Sequence, residues 1–198
     1  MKKTTPKVII TFICLLTLLV GYYAYLSNKD RNEKEEVVMT TLQEALSRDM
    51  QNDYPATPKE VLKYYNVILK CFYNEECTEE ELDDLGQRAR ELYDAELLEA
   101  NELGTYLIRL HSEVADYKDK NRRIASSAVA ASTNVDFFEE DGFEFARILC
   151  VYNIMEGDVN KPTRIMYLLR KDEDRHWKIY GWEDAANLEV TQAEETAE

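Results

Sequence analysis

The chain has 198 residues, with 24 basic and 39 acidic side chains and a formal net charge of −15. This length suits one folded domain with short additional segments, because a second core would need about 100 residues more. The excess of acid argues against nucleic acid as a partner, since phosphate binding needs a clustered positive field.

A hydrophobic run follows the basic N-terminus. Residues 8–28 are 21 consecutive uncharged residues, and 11 of them are Leu, Ile, Val or Phe. A helix of this length spans about 30 Å, the thickness of the hydrocarbon core of a bilayer. The alternative is a cleaved signal peptide, which needs small residues at the cleavage site, but Ala24 is followed by Tyr25 and Leu26. We therefore expect residues 8–28 to form an uncleaved transmembrane signal anchor.

The anchor separates segments of different charge. Residues 1–7 form a basic N-tail, and residues 29–37 form a charged tether. A short basic tail before a long hydrophobic run favours an extracytoplasmic position for the acidic remainder. We expect a folded domain over residues 38–184 and an acidic, disordered tail over residues 185–198. The predicted location is the cell membrane, crossed once, with the lipid bilayer as a partner through residues 8–28.

The first half of the domain has helical periodicity. Capping boxes begin at Thr57 and Thr78, where a Thr hydroxyl and a Glu carboxylate each satisfy a free backbone amide. Behind each box, apolar residues recur with a period of 3.6. A third apolar stripe covers residues 103–117. Three helices are predicted, after a short, weakly amphipathic turn region near residues 38–49.

The second half alternates between apolar and polar residues, as strands do. One strand is predicted from Ile124 to Phe138, and Asp141-Gly142 is typical of a two-residue hairpin turn. A central strand from Phe143 to Met155 precedes a turn region at residues 157–162, and two further strands end the domain with residues 176–182. The predicted fold class is α+β: an N-terminal transmembrane helix, then three helices packed on a curved four-stranded antiparallel sheet, in a cone-like roll.

Helices followed by long antiparallel strands that end in WKIYGW resemble the cone-shaped roll of the nuclear-transport-factor-2-like superfamily. The stretches TTLQEALSRDM, YPATPKEVLKYYNVILKCFYNEECTEEELDDLGQRARELYD and RKDEDRHWKIYGWE are similar to a family of uncharacterised single-pass membrane proteins of Gram-positive, Clostridia-type bacteria. The similarity covers residues 1–184. It implies a location and an architecture but no catalytic residue, and superfamily relatives with one membrane helix imply an envelope protein partner or homo-oligomerisation.

Few residue patterns point to catalysis. His111 and His176 are the only imidazoles, and the spacing places no orienting carboxylate beside either, as a general base would require. No zinc-site or calcium-loop spacing occurs, so we predict no metal and no cofactor. Cys71 and Cys77 are separated by a helix end, so a disulfide between them is an alternative to free thiols.

Tyrosines are numerous in the domain, and a cone-shaped sheet capped by helices has a concave mouth. Aromatic rings with polar tips would suit an apolar or aromatic ligand, or a partner peptide, at such a mouth. We expect a pocket lined by Tyr65, Tyr106, Tyr152, Tyr167 and Trp177.

The leading functional hypothesis is a membrane-anchored extracytoplasmic binding or interaction module that is not an enzyme. The alternative is an isomerase- or dehydratase-like enzyme that uses the cone cavity. It requires Tyr152, Asp136 or His111 to project into that cavity. Strand parity puts Asp136 on the face opposite Val129 and Phe137, and therefore outside the cone if those two residues line it. A third class is a structural module whose exposed edge strand receives a partner. A closed interior would favour interaction, and an open cavity with converging polar groups would favour catalysis.

Overall fold

The described part of the chain is an α+β domain. The computed structural model describes residues 40–186, so the predicted N-tail, the anchor at residues 8–28, the tether and most of the acidic tail lie outside the described residues. The helices are α1 Thr41–Ser47, α2 Pro58–Asn74, α3 Glu79–Arg90, α4 Ala95–Ala100 and α5 Leu103–Asp119. The strands are β1 Arg122–Val129, β2 Asp136–Glu140, β3 Phe143–Glu156, β4 Val159–Lys171 and β5 Trp177–Asp184. Between residues 40 and 186, no helix has the length and apolar character needed to cross a bilayer.

Three helices begin with a capping box. At α2, the Glu60 N–H donates to Thr57 Oγ1 at 3.2 Å, and the Thr57 N–H donates to the Glu60 carboxylate at 3.1 Å. At α3, Thr78 and Glu81 make the same exchange. Both helix starts predicted from the sequence are therefore confirmed. A third box begins α1 at Thr40.

The prediction of three helices is corrected to five, because two short helices were missed. The predicted turn region contains α1, a helix of 7 residues whose buried Ala45 carbonyl oxygen accepts a hydrogen bond from the Tyr64 hydroxyl at 2.5 Å. The second missed helix, α4, has 6 residues, follows the Asp94 cap and buries none of its side chains. Helices of one to two turns are too short to show an apolar period in the sequence.

The single strand predicted from Ile124 to Phe138 is two strands. A 3₁₀ turn at Ser132–Asn134 separates β1 from β2. Both strands pair antiparallel with β3, and the predicted face is kept because Val129 lies opposite Cys150 and Phe137 opposite Ala146. The predicted four strands are therefore corrected to a five-stranded antiparallel sheet, with the order β1-β3-β4-β5 and with β2 beside β3.

Two tight turns join β2 to β3 and β3 to β4. The Asp141-Gly142 turn has φ values of 51° and 82°, as predicted for a two-residue hairpin. The second turn is shorter than predicted, since it occupies Gly157-Asp158 and Pro162 lies within β4 opposite Asn153. Proline has no backbone N–H to donate. It is tolerated there because β5 pairs with β4 only from Ile165 onward, so no described strand lies beside Pro162 on the side away from β3.

Two outer strands of the sheet, β1 and β5, are each covered at one point. At β5, the Ile179 N–H donates to the Leu92 carbonyl oxygen at 2.7 Å, and the Asp94 N–H donates to the Ile179 carbonyl oxygen at 2.9 Å. At β1, the side-chain amide of Asn74 bonds both backbone groups of Ile124, at 2.8 and 2.9 Å. A partner strand of the third predicted functional class would meet these positions already paired, whereas β2 pairs only with β3 among the described strands.

The core lies between α2 and the facing side of the sheet. Its largest fully buried side chains include Leu62, Ile68, Leu85, Ile148, Leu169 and Ile179. Burial of each contributes about 1.5–3 kcal/mol relative to exposure. The core extends to Ala185, which is buried and whose N–H donates to the Arg164 carbonyl oxygen at 2.8 Å. The core therefore includes a residue that follows the predicted end of the domain at residue 184.

Helices α3 and α5 approach each other closely at Gly86. A Cβ at this position would lie 2.7 Å from Leu107 Cδ2 and 3.0 Å from Leu110 Cδ2, closer than side chains tolerate. The absence of a side chain at Gly86 therefore lets α5 lie against α3, with Tyr106 and Leu110 directed toward the sheet.

Gly86→Val should lower the free energy of unfolding by about 2 kcal/mol, because its methyl groups have no space between Leu107 and Leu110. Chemical denaturation followed by circular dichroism measures the change. Gly181→Val is the matched control, since a Cβ there meets no atom within 4 Å and valine favours strands. A Gly86→Val protein as stable as the unmodified chain would contradict the close approach.

Candidate functional site: a tyrosine-lined cavity

A cavity of about 350 Å³ lies between α2, α5 and the sheet. Seven tyrosines from the helices, the strands and the segment between α3 and α4 line it: Tyr65, Tyr73, Tyr93, Tyr106, Tyr117, Tyr152 and Tyr167. Ile154 and Ile165 add apolar surface, while the exposed side chains of Arg109, Glu113 and Trp182 line its mouth. We call this space the tyrosine cavity.

Four of the five residues expected to form a pocket lie together in the tyrosine cavity: Tyr65, Tyr106, Tyr152 and Tyr167. Trp177 is buried elsewhere, with its ring 5.0 Å from Lys171 Nζ. Trp177 pairs with Lys171, which follows Tyr167 by four residues on β4. Trp177 therefore lies about 13 Å along the sheet from Tyr167 in the cavity wall. Trp177 therefore does not line the tyrosine cavity, whereas Trp182 does.

Trp182 faces the cavity because β5 contains a bulge. Tyr180 is an extra residue without a partner in the register of β4. Side chains alternate along a strand, so Trp177 and Trp182 would face opposite sides of a regular β5. The extra residue brings both onto the helix-facing side, where the Trp182 ring lies 6.1 Å from the rings of Tyr93 and Tyr167. No sequence pattern marks this bulge.

The inner end of the cavity contains a hydrogen-bond network around Asn66. The Tyr152 hydroxyl donates to Asn66 Oδ1 at 2.6 Å and lies 2.9 Å from the Tyr167 hydroxyl. Asn66 Nδ2 donates to Cys150 Sγ at 3.4 Å. Asn66 is only 5% exposed, so its amide would be costly to bury without these partners. Asn66 was not predicted as a site residue, although a polar residue within the apolar stripe of α2 indicates a buried hydrogen-bonding group.

A second hydroxyl pair lies beside this network. The hydroxyl oxygens of Tyr65 and Tyr93 are 3.1 Å apart. The Tyr65 ring packs edge-on against the rings of Tyr93 and Tyr167, with both centroid distances at 6.1 Å. Such edge-to-face contacts favour a fixed arrangement of the rings. The two pairs of phenols therefore form one continuous wall.

Burial controls the ionisation of these phenols. It raises the pKa of all seven above the ordinary value of 10: Tyr65, Tyr73, Tyr93, Tyr106, Tyr117, Tyr152 and Tyr167. The cause is the loss of water around the phenolate, which disfavours the charged form. The inner wall is therefore neutral at physiological pH and offers hydroxyl groups as hydrogen-bond donors and acceptors.

Ionised groups of the cavity lie at its mouth. The Tyr73 hydroxyl donates to Glu113 Oε1 at 2.6 Å, and the Tyr73 ring stacks on Tyr117 with centroids 4.1 Å apart. The Arg109 guanidinium donates to Asn101 Oδ1. These contacts hold both charged side chains at the solvent side of the cavity.

Of the three residues that the enzymatic alternative requires, only Tyr152 lines the cavity. Asp136 lies on the outer face of the sheet, where its carboxylate is 3.2 Å from Arg147. His111 lies on α5 outside the cavity lining, with Nε2 2.7 Å from Asp83 Oδ1. The spacing in the sequence indicated no carboxylate beside His111, and the packing of α3 against α5 supplies one.

The acidic turn before β5 has a structural explanation. One ligand atom each of Asp172, Asp174 and His176 lies within 4.8 Å of the others. However, the Asp172 carboxylate accepts the His176 backbone N–H at 2.7 Å and approaches Lys178 Nζ to 4.0 Å. The His176 ring stacks on Tyr54, with centroids 4.3 Å apart. These contacts stabilise the turn.

The three cysteines of the described chain are free thiols. Cys71 is buried, and this burial raises the pKa of its thiol to about 12. The Cys77 thiol donates to the Cys71 carbonyl oxygen at 3.7 Å rather than joining it in a disulfide. Raised pKa values keep such thiols in their unreactive form.

The fold and the cavity together define an α+β domain with an uncharged, hydroxyl-rich interior pocket. The chain belongs to the family described as a domain of unknown function (DUF6715), whose family model matches residues 1–182. No curated protein matches the chain.

The buried phenols should make the fold sensitive to alkaline pH. Below pH 10 they are protonated in both the folded and the unfolded chain and have no effect. Above pH 10 they ionise only on unfolding, so each lowers the free energy of unfolding by about 1.4 kcal/mol per pH unit. Phenolate absorbance should therefore appear together with the loss of circular dichroism. Reversible ionisation of all thirteen tyrosines near pH 10 with unchanged circular dichroism would contradict this.

Proposed function

We propose that this protein is a membrane-anchored, extracytoplasmic binding module whose tyrosine cavity takes a small ligand with an apolar or aromatic body. The observation that carries the proposal is the cavity itself, which holds about 350 Å³ between aromatic walls and opens past Trp182. Pockets of this size, mostly apolar with a few fixed polar groups, are typical of small-molecule sites.

Binding is favoured over catalysis by the chemistry of the lining. The cavity is open and polar groups converge in it, which the enzymatic alternative also requires. Its phenols are neutral because burial raises their pKa values, so they are poor general bases near pH 7. Among the described residues that line the cavity, the one carboxylate is Glu113, which already accepts a hydrogen bond from Tyr73.

The membrane location rests on residues 8–28. This run is uncharged, long enough for a bilayer, and included in the segment that the family model matches. Its basic flank supports an extracytoplasmic domain. The relationship to single-pass membrane proteins of Clostridia-type bacteria, and to the cone-like roll of the nuclear-transport-factor-2-like superfamily, belongs to the same proposal.

Docking to an envelope protein or to a second copy of the chain is the alternative role for the module. It is favoured by one surface feature: the Ile108 side chain on α5 is 74% exposed, and Leu103 at the start of the same helix is 37% exposed. Exposed apolar side chains of this kind contribute to protein interfaces when they belong to a larger patch.

Tetralin, an uncharged aromatic hydrocarbon, should enter the tyrosine cavity of the full chain in lipid nanodiscs. Methyl NMR resonances of Ile124, Ile154 and Ile165, which line the cavity, report binding at this site, while exposed Ile108 reports contact elsewhere. We expect saturable shifts of the three cavity methyl groups alone, because the apolar walls exclude water.

Thr163→Phe should abolish these shifts, since Thr163 lines the cavity and a benzyl group would occupy its volume. Thr133→Phe is the matched control, because Thr133 is exposed in the 3₁₀ turn. Unchanged cavity resonances at saturating tetralin, or equal shifts in the Thr163→Phe protein, would refute the binding proposal.

The location can be tested with reporters fused after Glu198. An alkaline phosphatase, which needs an oxidising compartment, should be active, and a green fluorescent protein exported as an unfolded chain should be dark. Removal of residues 8–28 should move the chain from the membrane fraction to the soluble fraction. A bright fluorescent fusion with an inactive phosphatase fusion would reverse the proposed orientation.

A further inference from the structure

The hydrogen atoms of the inner phenols can be assigned by counting. A phenol has one hydrogen to donate. The Tyr152 hydroxyl donates its hydrogen to Asn66 Oδ1, so the 2.9 Å contact between Tyr152 and Tyr167 requires Tyr167 to be the donor. The hydrogen of Tyr167 is therefore directed away from any ligand, and only its oxygen lone pairs remain available.

In the neighbouring pair, Tyr65 and Tyr93, the hydroxyl hydrogens outnumber the hydrogen bonds. Tyr65 and Tyr93 share one hydrogen bond at 3.1 Å but carry two hydroxyl hydrogens. One hydrogen bond between two hydroxyls uses only one of their two hydrogens. At least one donor at the inner end of the cavity is therefore free to bond a ligand.

No charged side chain lies near this donor that could neutralise the charge of an ionic ligand. Tyr65 and Tyr93 are 5% and 4% exposed. The charged side chains of the lining, Arg109 and Glu113, are at the mouth and are paired with Asn101 and Tyr73. A carboxylate or phosphate at the inner end would lose its hydration without gaining a counter-ion, whereas a neutral acceptor would satisfy the free hydroxyl.

We propose that the tyrosine cavity binds an uncharged ligand through a carbonyl-type oxygen that accepts a hydrogen bond from the Tyr65–Tyr93 pair. This inference rests on the proposed binding function and specifies the chemistry of the ligand. The apolar body of the ligand packs against Ile154 and Ile165, and its oxygen points to the inner end.

The test compares 1-tetralone with tetralin, two probes of the same shape that differ by a carbonyl group. Both are titrated into the full chain in nanodiscs, the methyl groups of Ile124, Ile154 and Ile165 are followed, and the free probe concentration is measured. A neutral hydrogen bond in a buried site should make the ketone bind about fivefold more tightly. The double variant Tyr65→Phe/Tyr93→Phe should reduce this preference to about onefold.

Tyr167→Phe is the matched control, because it removes a hydroxyl from the same wall. The hydrogen of that hydroxyl is donated to the Tyr152 oxygen and so is not available to the ligand. The preference for the ketone should persist in this variant. Each preference is the ratio of the two dissociation constants, tetralin over 1-tetralone, measured with one protein in one lipid. Partition of the probes into the bilayer and a general loss of affinity act on both constants, so they do not change this ratio between proteins.

The outcomes separate the two proposals. Equal binding of both probes to the unmodified chain would overturn the carbonyl inference and leave the binding function intact. Failure of both probes to shift the cavity methyl groups would overturn both. A preference that survives the double variant, or one that is lost in Tyr167→Phe, would overturn the assignment of the donor to Tyr65 and Tyr93. If the double variant does not fold, the unmodified chain and Tyr167→Phe still decide the inference.

Discussion

Each phenol hydroxyl that is removed from water must find a hydrogen-bond partner inside the protein, and this requirement organises the interface between α2 and the sheet. Ring burial contributes to the core, but it leaves polar atoms at the inner end of the cavity. The network around Asn66 and the bond between Tyr65 and Tyr93 give each of these atoms at least one partner, and among residues 40–186 no buried side-chain nitrogen or oxygen lacks one. The network therefore fixes α2 against β3 and β4 more specifically than apolar packing alone would.

The same requirement gives the cavity its chemical character. Hydroxyl groups that bond one another form a polar surface without a charge, held in place by edge-to-face rings. A ligand that enters meets groups that are already oriented, so little side-chain entropy is lost on binding. Charged groups remain at the mouth, where water solvates them. The interior thus favours neutral molecules, and the mouth is available for polar parts of the ligand.

The features that the sequence predicted correctly depend on residues close together in the chain. The boxes at Thr57 and Thr78 and the turn at Asp141-Gly142 are encoded within four residues, and their geometry follows from local chemistry. Strand alternation also predicted the outward position of Asp136. Each of these could be predicted because it needs no knowledge of how distant segments pack.

The features that were missed depend on tertiary packing. Asn66 and Tyr152 meet across 86 residues, and His111 meets Asp83 only because α3 lies beside α5. The helix α4 is too short to have a period, and the register shift in β5 has no signature in WKIYGW. Trp177 was therefore placed in the pocket and Trp182 was not. The tyrosines of the pocket were predicted from their abundance, but their hydrogen-bond partners could not be.

The bulge in β5 makes one wall of the cavity depend on the number of residues rather than on their identity. Substitutions at Tyr180 that keep the chain length leave the following indole on the side of the helices. Loss of the bulge without loss of a residue would rotate that indole by half a turn, onto the opposite side of the sheet, and widen the entrance. Loss of Tyr180 together with the bulge would instead keep the indole opposite Tyr167, because it would then lie four positions from Trp177 in a regular strand. Among relatives of this chain, a spacing of five positions between the two tryptophans would therefore require the bulge to close the entrance, whereas a spacing of four would close it with a regular strand.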